Sequence, residues 1–130
     1  MLLGLRTVMM KILCYSALRD ADEERFLEKT KPARIEIRRS FGKLKERLNI
    51  PSPTSRVVIF IIRWEEEISG LAEWIDSYVD LLIILVLHSQ TPEILKGAYK
   101  MRPRYICGAD NDFQDIADVL KRMEERHGPG

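Results

Sequence analysis

Val57-Val58-Ile59-Phe60-Ile61-Ile62 and Leu81-Leu82-Ile83-Ile84-Leu85-Val86-Leu87 are apolar at every position, and this pair of runs decides the fold. Six or seven apolar residues without alternation suit a strand buried on both faces, as in a parallel sheet covered by helices. Between the runs, Ile68, Leu71, Ala72, Ile75, Tyr78 and Val79 recur at i, i+3, i+4, i+7, i+10 and i+11. That spacing predicts one amphipathic helix. Two parallel strands need a crossover of this kind, so the segment reads as a βαβ unit.

The same rhythm extends in both directions. Towards the N-terminus, Lys11 to Tyr15 predicts a first strand. Asp20 then caps a helix that carries Asp22, Glu23 and Glu24 in a first turn favouring negative charge. Arg34-Ile35-Glu36-Ile37-Arg38 alternates polar and apolar, which suits an edge strand. Ser40 caps a short helix with Phe41, Leu44 and Leu48 on one side, and Asn49 to Ser55 is a loop. Towards the C-terminus, Thr91-Pro92-Glu93 starts a helix with a cap, a proline and an acid. Met101-Arg102-Pro103 stops it, and Tyr105 to Cys107 forms a short fifth strand. A last helix is expected to begin near Asp110 or Asp112, with Phe113, Ile116, Ala117, Leu120 and Met123 on one face. The expected organisation is an extension over residues 1–9, one α/β domain over 10–126, and a flexible tail over 127–130 containing an inert His127.

With 130 residues, 45% of them hydrophobic and 32% charged, the composition is that of a single globular domain. The net charge of +1 supplies no global field for nucleic acid or acidic membranes. Locally the balance is uneven. Lys31 to Arg47 carries seven bases against Glu36 and Glu46, while Arg63 to Asp80 carries six acids against one arginine. The basic stretch lacks interleaved aromatics and a recognition-helix pattern, so nucleic acid is not an expected partner. The longest apolar run is too short for a bilayer, and the opening Met1-Leu2-Leu3-Gly4-Leu5-Arg6 has no secretory pattern. Cys14 and Cys107 lie within apolar runs, as reduced thiols do in a cytoplasmic protein.

Ligands of an open parallel sheet bind beyond the strand C-terminal ends. Those ends read Tyr15-Ser16-Ala17, Ile62-Arg63, His88-Ser89 and Gly108-Ala109, and the first three contain no carboxylate. The expectation is a chemically bare rim. Neither a Gly-rich dinucleotide fingerprint nor a P-loop follows any strand. Cys14 to Arg19 resembles a thiol phosphatase loop only superficially, with four intervening residues instead of five and no glycine. His88 and Ser89 are the best polar pair, and Asp110 and Asn111 stand beside them as ligand-binding candidates. Trp64, off the apolar stripe of its helix, is a candidate for protein contact.

Taken together, the five strand–helix repeats, the alternating second strand and the two wholly apolar central strands resemble the receiver domain of two-component response regulators, over Met10 to about Arg126. Ile68-Ser69-Gly70-Leu71 falls where receivers carry Asp-Gly-Leu. Lys96-Gly97-Ala98 through Arg104-Tyr105-Ile106 echoes the approach to their fifth strand. The resemblance implies a flavodoxin-like three-layer sandwich, with a parallel sheet in the order 2-1-3-4-5 and helices on both faces. It further implies phosphoryl transfer to an Asp at the end of the third strand, with Mg²⁺ held by two acids after the first. A Ser or Thr would end the fourth strand and a Lys the fifth. The acceptor position falls here on Ile62, or on Ile61 with a one-residue shift. The acid pair falls on Ser16 and Ala17, the Lys on Gly108 or Ala109, and the Ser/Thr near Leu87 or His88.

The sequence therefore predicts a pseudo-receiver: a non-enzymatic, phosphorylation-independent interaction module with no cofactor and no catalytic or metal-binding residues. By resemblance, its docking or homodimer surface would carry Tyr99, Lys100, Arg102, Arg104, Tyr105, Asp118 and Arg122. The alternative is a small-ligand or nucleotide-binding domain using His88, Ser89, Asp110 and Asn111.

Overall fold

The computed structural model describes residues 12–31, 33–51, 56–108 and 113–127. Five parallel strands form one sheet in the order β2-β1-β3-β4-β5. They are β1 (Ile12–Ser16), β2 (Ile35–Arg38), β3 (Arg56–Ile62), β4 (Leu81–Leu87) and β5 (Tyr105–Gly108). The helices are α1 (Ala21–Lys29), α2 (Phe41–Leu48), α3 (Glu65–Trp74), α4 (Pro92–Lys100) and α5 (Gln114–His127). This is the flavodoxin-like sandwich that the sequence implied.

Alternation along the strands separates two cores. Val58, Phe60, Ile62, Leu85 and Leu87 face Leu44, Ile68, Leu71 and Ile94 of α2, α3 and α4. Val57, Ile59, Ile61, Ile84 and Val86 face Phe26 of α1 and Ile116 and Leu120 of α5. Every residue of β3 is buried, whereas all four of β2 are half-buried, as an edge strand requires. Each fully buried side chain of this size contributes about 1.5–3 kcal/mol. The sheet is thus fixed from its centre outward.

The termini of the helices follow local chemistry. Asp20 accepts from the Glu23 N–H at α1, Ser40 from Lys43 at α2, and Thr91 from Ile94 at α4. Two expectations are corrected. The helical periodicity through Val79 does not form one helix: α3 stops at Trp74, a 3-10 turn covers Ile75–Ser77, and Val79 is exposed. Asp80 has φ 62, and that left-handed residue turns the chain into β4. Tyr78 stays on the core side because its ring packs on Trp74 and its hydroxyl donates to Asn49. The second correction concerns α5, which begins at Gln114 and not at Asp110 or Asp112. Phe113 lies just before it at φ 62, with its ring buried edge-on against Phe26.

α3 and α4 approach closely. A Cβ on Gly97 would lie 2.2 Å from Ile68 Cγ2, so only glycine permits this crossing. Cys14 and Cys107 are on β1 and β5, separated by β3 and β4. With strands roughly 4.8 Å apart, they are far beyond disulfide reach. Among the described residues no helix is long and apolar enough to cross a membrane.

Candidate functional site

The rim beyond the strand C-terminal ends is not bare. Arg63 follows β3 and lies buried, its guanidinium turned towards the β1–α1 connection. Nε and Nη2 donate to the two oxygens of Asp20 at 2.7 and 2.8 Å. Nη2 also donates to the Leu18 carbonyl at 2.9 Å and to Ser16 Oγ at 3.1 Å. This side-on pairing is the strong geometry for a guanidinium and a carboxylate. The guanidinium holds the Asp20 carboxyl well below the usual carboxylate range, and that partner raises Arg63 in turn. Asp20 thus caps α1 and neutralises Arg63 at once.

Three further contacts complete the rim. Glu23, 1% exposed, accepts from Arg39 Nη1 and Nη2 at 2.5 and 3.1 Å, and Arg39 Nη1 also reaches the Ser16 carbonyl at 3.2 Å. Glu67 uses one oxygen for the backbone N–H groups of Arg63 and Trp64 at 2.7 and 3.1 Å, which fixes the β3–α3 turn. Its other oxygen accepts from the Tyr15 hydroxyl at 2.5 Å. Burial, and then this bond, pushes the Tyr15 phenol up. His88 Nδ1 lies 2.8 Å from Asp22 Oδ2, and Asp22 also accepts from Arg25. Burial pushes the Cys14 thiol up, which opposes thiolate chemistry there.

The four carboxylates come from α1, its cap and the first turn of α3. By sequence Asp20 is a helix cap, Asp22 and Glu23 are first-turn acids and Glu67 belongs to an acidic stretch, and a list of strand-end residues omits groups that helices carry back over the rim. One signal is present in the sequence: Arg63 directly follows β3 and Asp20 caps the helix four residues beyond β1, so opposite charges meet if the two strands are neighbours.

The predicted site residues fall as follows. Ile62 is the last residue of β3 and buried in the core, while Arg63 occupies the rim beyond it. Ser16 is fully buried, its hydroxyl donating to the Leu18 carbonyl. His88 is exposed and Ser89 half-buried at the end of β4. Asp110, Asn111 and Ala109 lie outside the described residues, as do residues 1–9 and 128–130. Tyr99 and Lys100 end α4, and Arg102, Arg104 and Tyr105 lead into the edge strand β5. Asp118 and Arg122 are exposed on α5, but Asp118 lines a cleft with Lys29, Thr30, Lys31 and Ala33 on the β2 side, so the structure does not bring it to the β5 edge with the other candidates. Asp118 accepts from Gln114 Nε2 at 2.9 Å, and burial pushes the Tyr105 phenol up.

For the divalent cation that the receiver resemblance implies, the described rim residues are a poor fit. Mg²⁺ takes carboxylate oxygens, but Ser16 and Ala17 supply none and both Asp20 oxygens are held by Arg63. A guanidinium at that spot also repels a cation. Among the described residues no cluster of three His, Cys, Asp or Glu side chains could hold a metal.

No family model and no curated protein matches the chain. Solved structures do. A Burkholderia pseudomallei protein described as pilus assembly-related aligns over 91% of both chains, with a TM-score of 0.65 and 16% identity. The signal receiver domain of an HD domain-containing protein from Pseudomonas fluorescens covers 92% of this chain and 96% of its own, with a TM-score of 0.61 and 12% identity. An orphan response regulator of H. pylori covers 90% and 95%, with a TM-score of 0.60 and 11% identity. At these identities the likeness is one of fold: the chain has the receiver-like architecture.

Proposed function

We propose that this domain is a receiver-like protein-interaction module that works without phosphorylation. The observation that carries this reading is Arg63, a buried cation bonded to Asp20, Ser16 and Leu18 at the rim where receivers perform phosphoryl transfer. The residues at the acceptor and acid-pair positions, Ile62, Ser16 and Ala17, offer neither an acyl-phosphate acceptor nor hard oxygen ligands. The rim network then has a structural task, tying the β1–α1 and β3–α3 connections together. Recognition passes to the surface, and the face made by α4, β5 and the adjoining part of α5, with Tyr99, Lys100, Arg102, Arg104, Tyr105 and Arg122, is the docking or homodimer face. The solved structures with receiver folds support a signalling or regulatory setting, and the cytoplasm is the compartment we propose for it.

Incubation with acetyl phosphate and Mg²⁺, followed by intact mass measurement, tests the first half. An unmodified mass is expected, and a phosphoryl adduct overturns it. Mass in solution against concentration tests the second half, with an Arg104 and Tyr105 double substitution as control. A strict monomer unaffected by that change counts against the homodimer.

One observation favours the ligand-binding alternative. Arg63 Nη1 is buried without a hydrogen-bond partner, and such a donor gains from an anion. A thermal midpoint raised by phosphate, nucleotides or acidic metabolites would support that alternative, and Arg63→Met would abolish the shift.

A further inference from the structure

Two aromatic side chains are strongly exposed among the described residues, Trp64 at 46% and Tyr99 at 66%. Trp64 stands at the start of α3 and Tyr99 in the last turn of α4. Both helices follow strands of a parallel sheet and pack side by side on one face, so both run from the rim towards the opposite end. The two rings therefore mark opposite ends of one helix pair, whose helices approach closely at Gly97 and Ile68.

The residues next to the two rings in sequence differ in charge, although Glu73 and Asp76, also exposed, stand at and just beyond the C-terminal end of α3. Glu65 and Glu66 follow Trp64, both exposed and without an ion-pair partner among the described residues. Lys100, Arg102 and Arg104 follow Tyr99, equally exposed and equally unpaired among them. Arg102 has φ 52, a left-handed closing position of α4 where glycine or asparagine is the usual residue. An arginine held there against backbone preference points to a use for its charge.

We infer that α3 and α4 form an isologous interface with a second copy of this chain. A two-fold axis perpendicular to the helix pair sets the Trp64, Glu65 and Glu66 end of each copy against the Tyr99, Lys100 and Arg102 end of the other. One operation makes both contacts, and the assembly closes as a dimer. Each contact joins an aromatic anchor to an aromatic anchor and acids to bases, the pairing that steers and orients association. This inference rests on the homodimer reading above and names the surface that Tyr99, Lys100 and Arg102 meet.

Sedimentation equilibrium on the full chain and its variants tests it. The wild type is expected to dimerise, and Glu65→Lys with Glu66→Lys to weaken the dimer at least about tenfold. Lys100→Glu with Arg102→Glu should do the same. An equimolar mixture of the two double variants should regain the dimer, because both contacts are then complementary again. Arg102→Gly guards against misfolding: at a dilution where both proteins are monomeric it should keep or raise the thermal midpoint, while at higher concentration it weakens association. If the wild type dimerises and only the Arg104 and Tyr105 double substitution dissolves it, the α3–α4 interface is overturned and the homodimer stands. If the wild type stays monomeric at its highest soluble concentration, both fall. A mixture that stays monomeric although the wild type dimerises also overturns the interface.

Discussion

β3 begins at one buried arginine, Arg56, and is followed by another, Arg63, and the molecule treats them differently. Arg63 at the rim meets a carboxylate. Arg56 at the opposite end meets none: its guanidinium donates to the carbonyls of Leu48 at 2.9 Å, Arg47 at 3.2 Å and Ile50, all at the C-terminal end of α2. The partial negative charge of a helix C-terminus suits a cation, but burial still lowers the Arg56 pKa, whereas the Asp20 bond raises that of Arg63. The same residue type serves as a counter-charge in one place and as a helix cap in the other. A buried arginine by itself therefore says little about function; its partners do.

That contrast can be broken most severely at Asp20. Asp20→Ala leaves Arg63 buried without its counter-charge, which costs about 3–5 kcal/mol, and removes the α1 cap, worth about 1 kcal/mol. Chemical denaturation should show Asp20→Asn as less damaging by about the cap term, since asparagine still caps. The double variant Asp20→Asn with Arg63→Met should recover much of the loss, because an apolar replacement of a buried pair is often near neutral. No recovery would mean that the Ser16 and Leu18 bonds, not the ion pair, hold the rim.

Arg56→Met is expected to cost less, about 2 kcal/mol, from the loss of charged hydrogen bonds to the α2 carbonyls. Acid sharpens the difference between the two ends. Asp20 has a depressed folded pKa, so its contribution is fully present above the unfolded value of about 3.9 and is lost as pH falls below it. The gap between wild type and Asp20→Asn should thus narrow below about pH 4, while the Arg56→Met gap has no carboxylate to titrate. Equal acid sensitivity of both gaps would remove the distinction.

Tyr15→Phe is the smallest expected effect at the rim, about 1 kcal/mol, because Glu67 keeps both backbone donors. The raised phenol pKa contributes stability below the unfolded value of about 10, and this is lost as pH rises towards the folded value. Spectroscopic titration should find Tyr15 ionising well above the ordinary tyrosine value of about 10, and ionisation at that value would contradict the buried bond.

The layer structure was readable from β3 and β4, because residues apolar on both faces of a strand have only one home. The edge character of β2 was equally readable from its alternation. α3 was over-extended, since periodicity cannot register that Tyr78 anchors sideways to Asn49 and that Asp80 turns the chain. The rim was misread as bare. Asp20 and Arg63 lie 43 positions apart and Tyr15 and Glu67 lie 52 apart, so local pattern cannot join them.

The chain by itself determined the element order, the parallel sheet and the residues absent from the receiver positions, since hydrophobic periodicity and turn chemistry act within a few residues of one another. Only the tertiary structure decided which charges compensate each other. Ion pairing depends on distance in space, and parallel crossovers bring together side chains that the sequence keeps a helix and a strand apart.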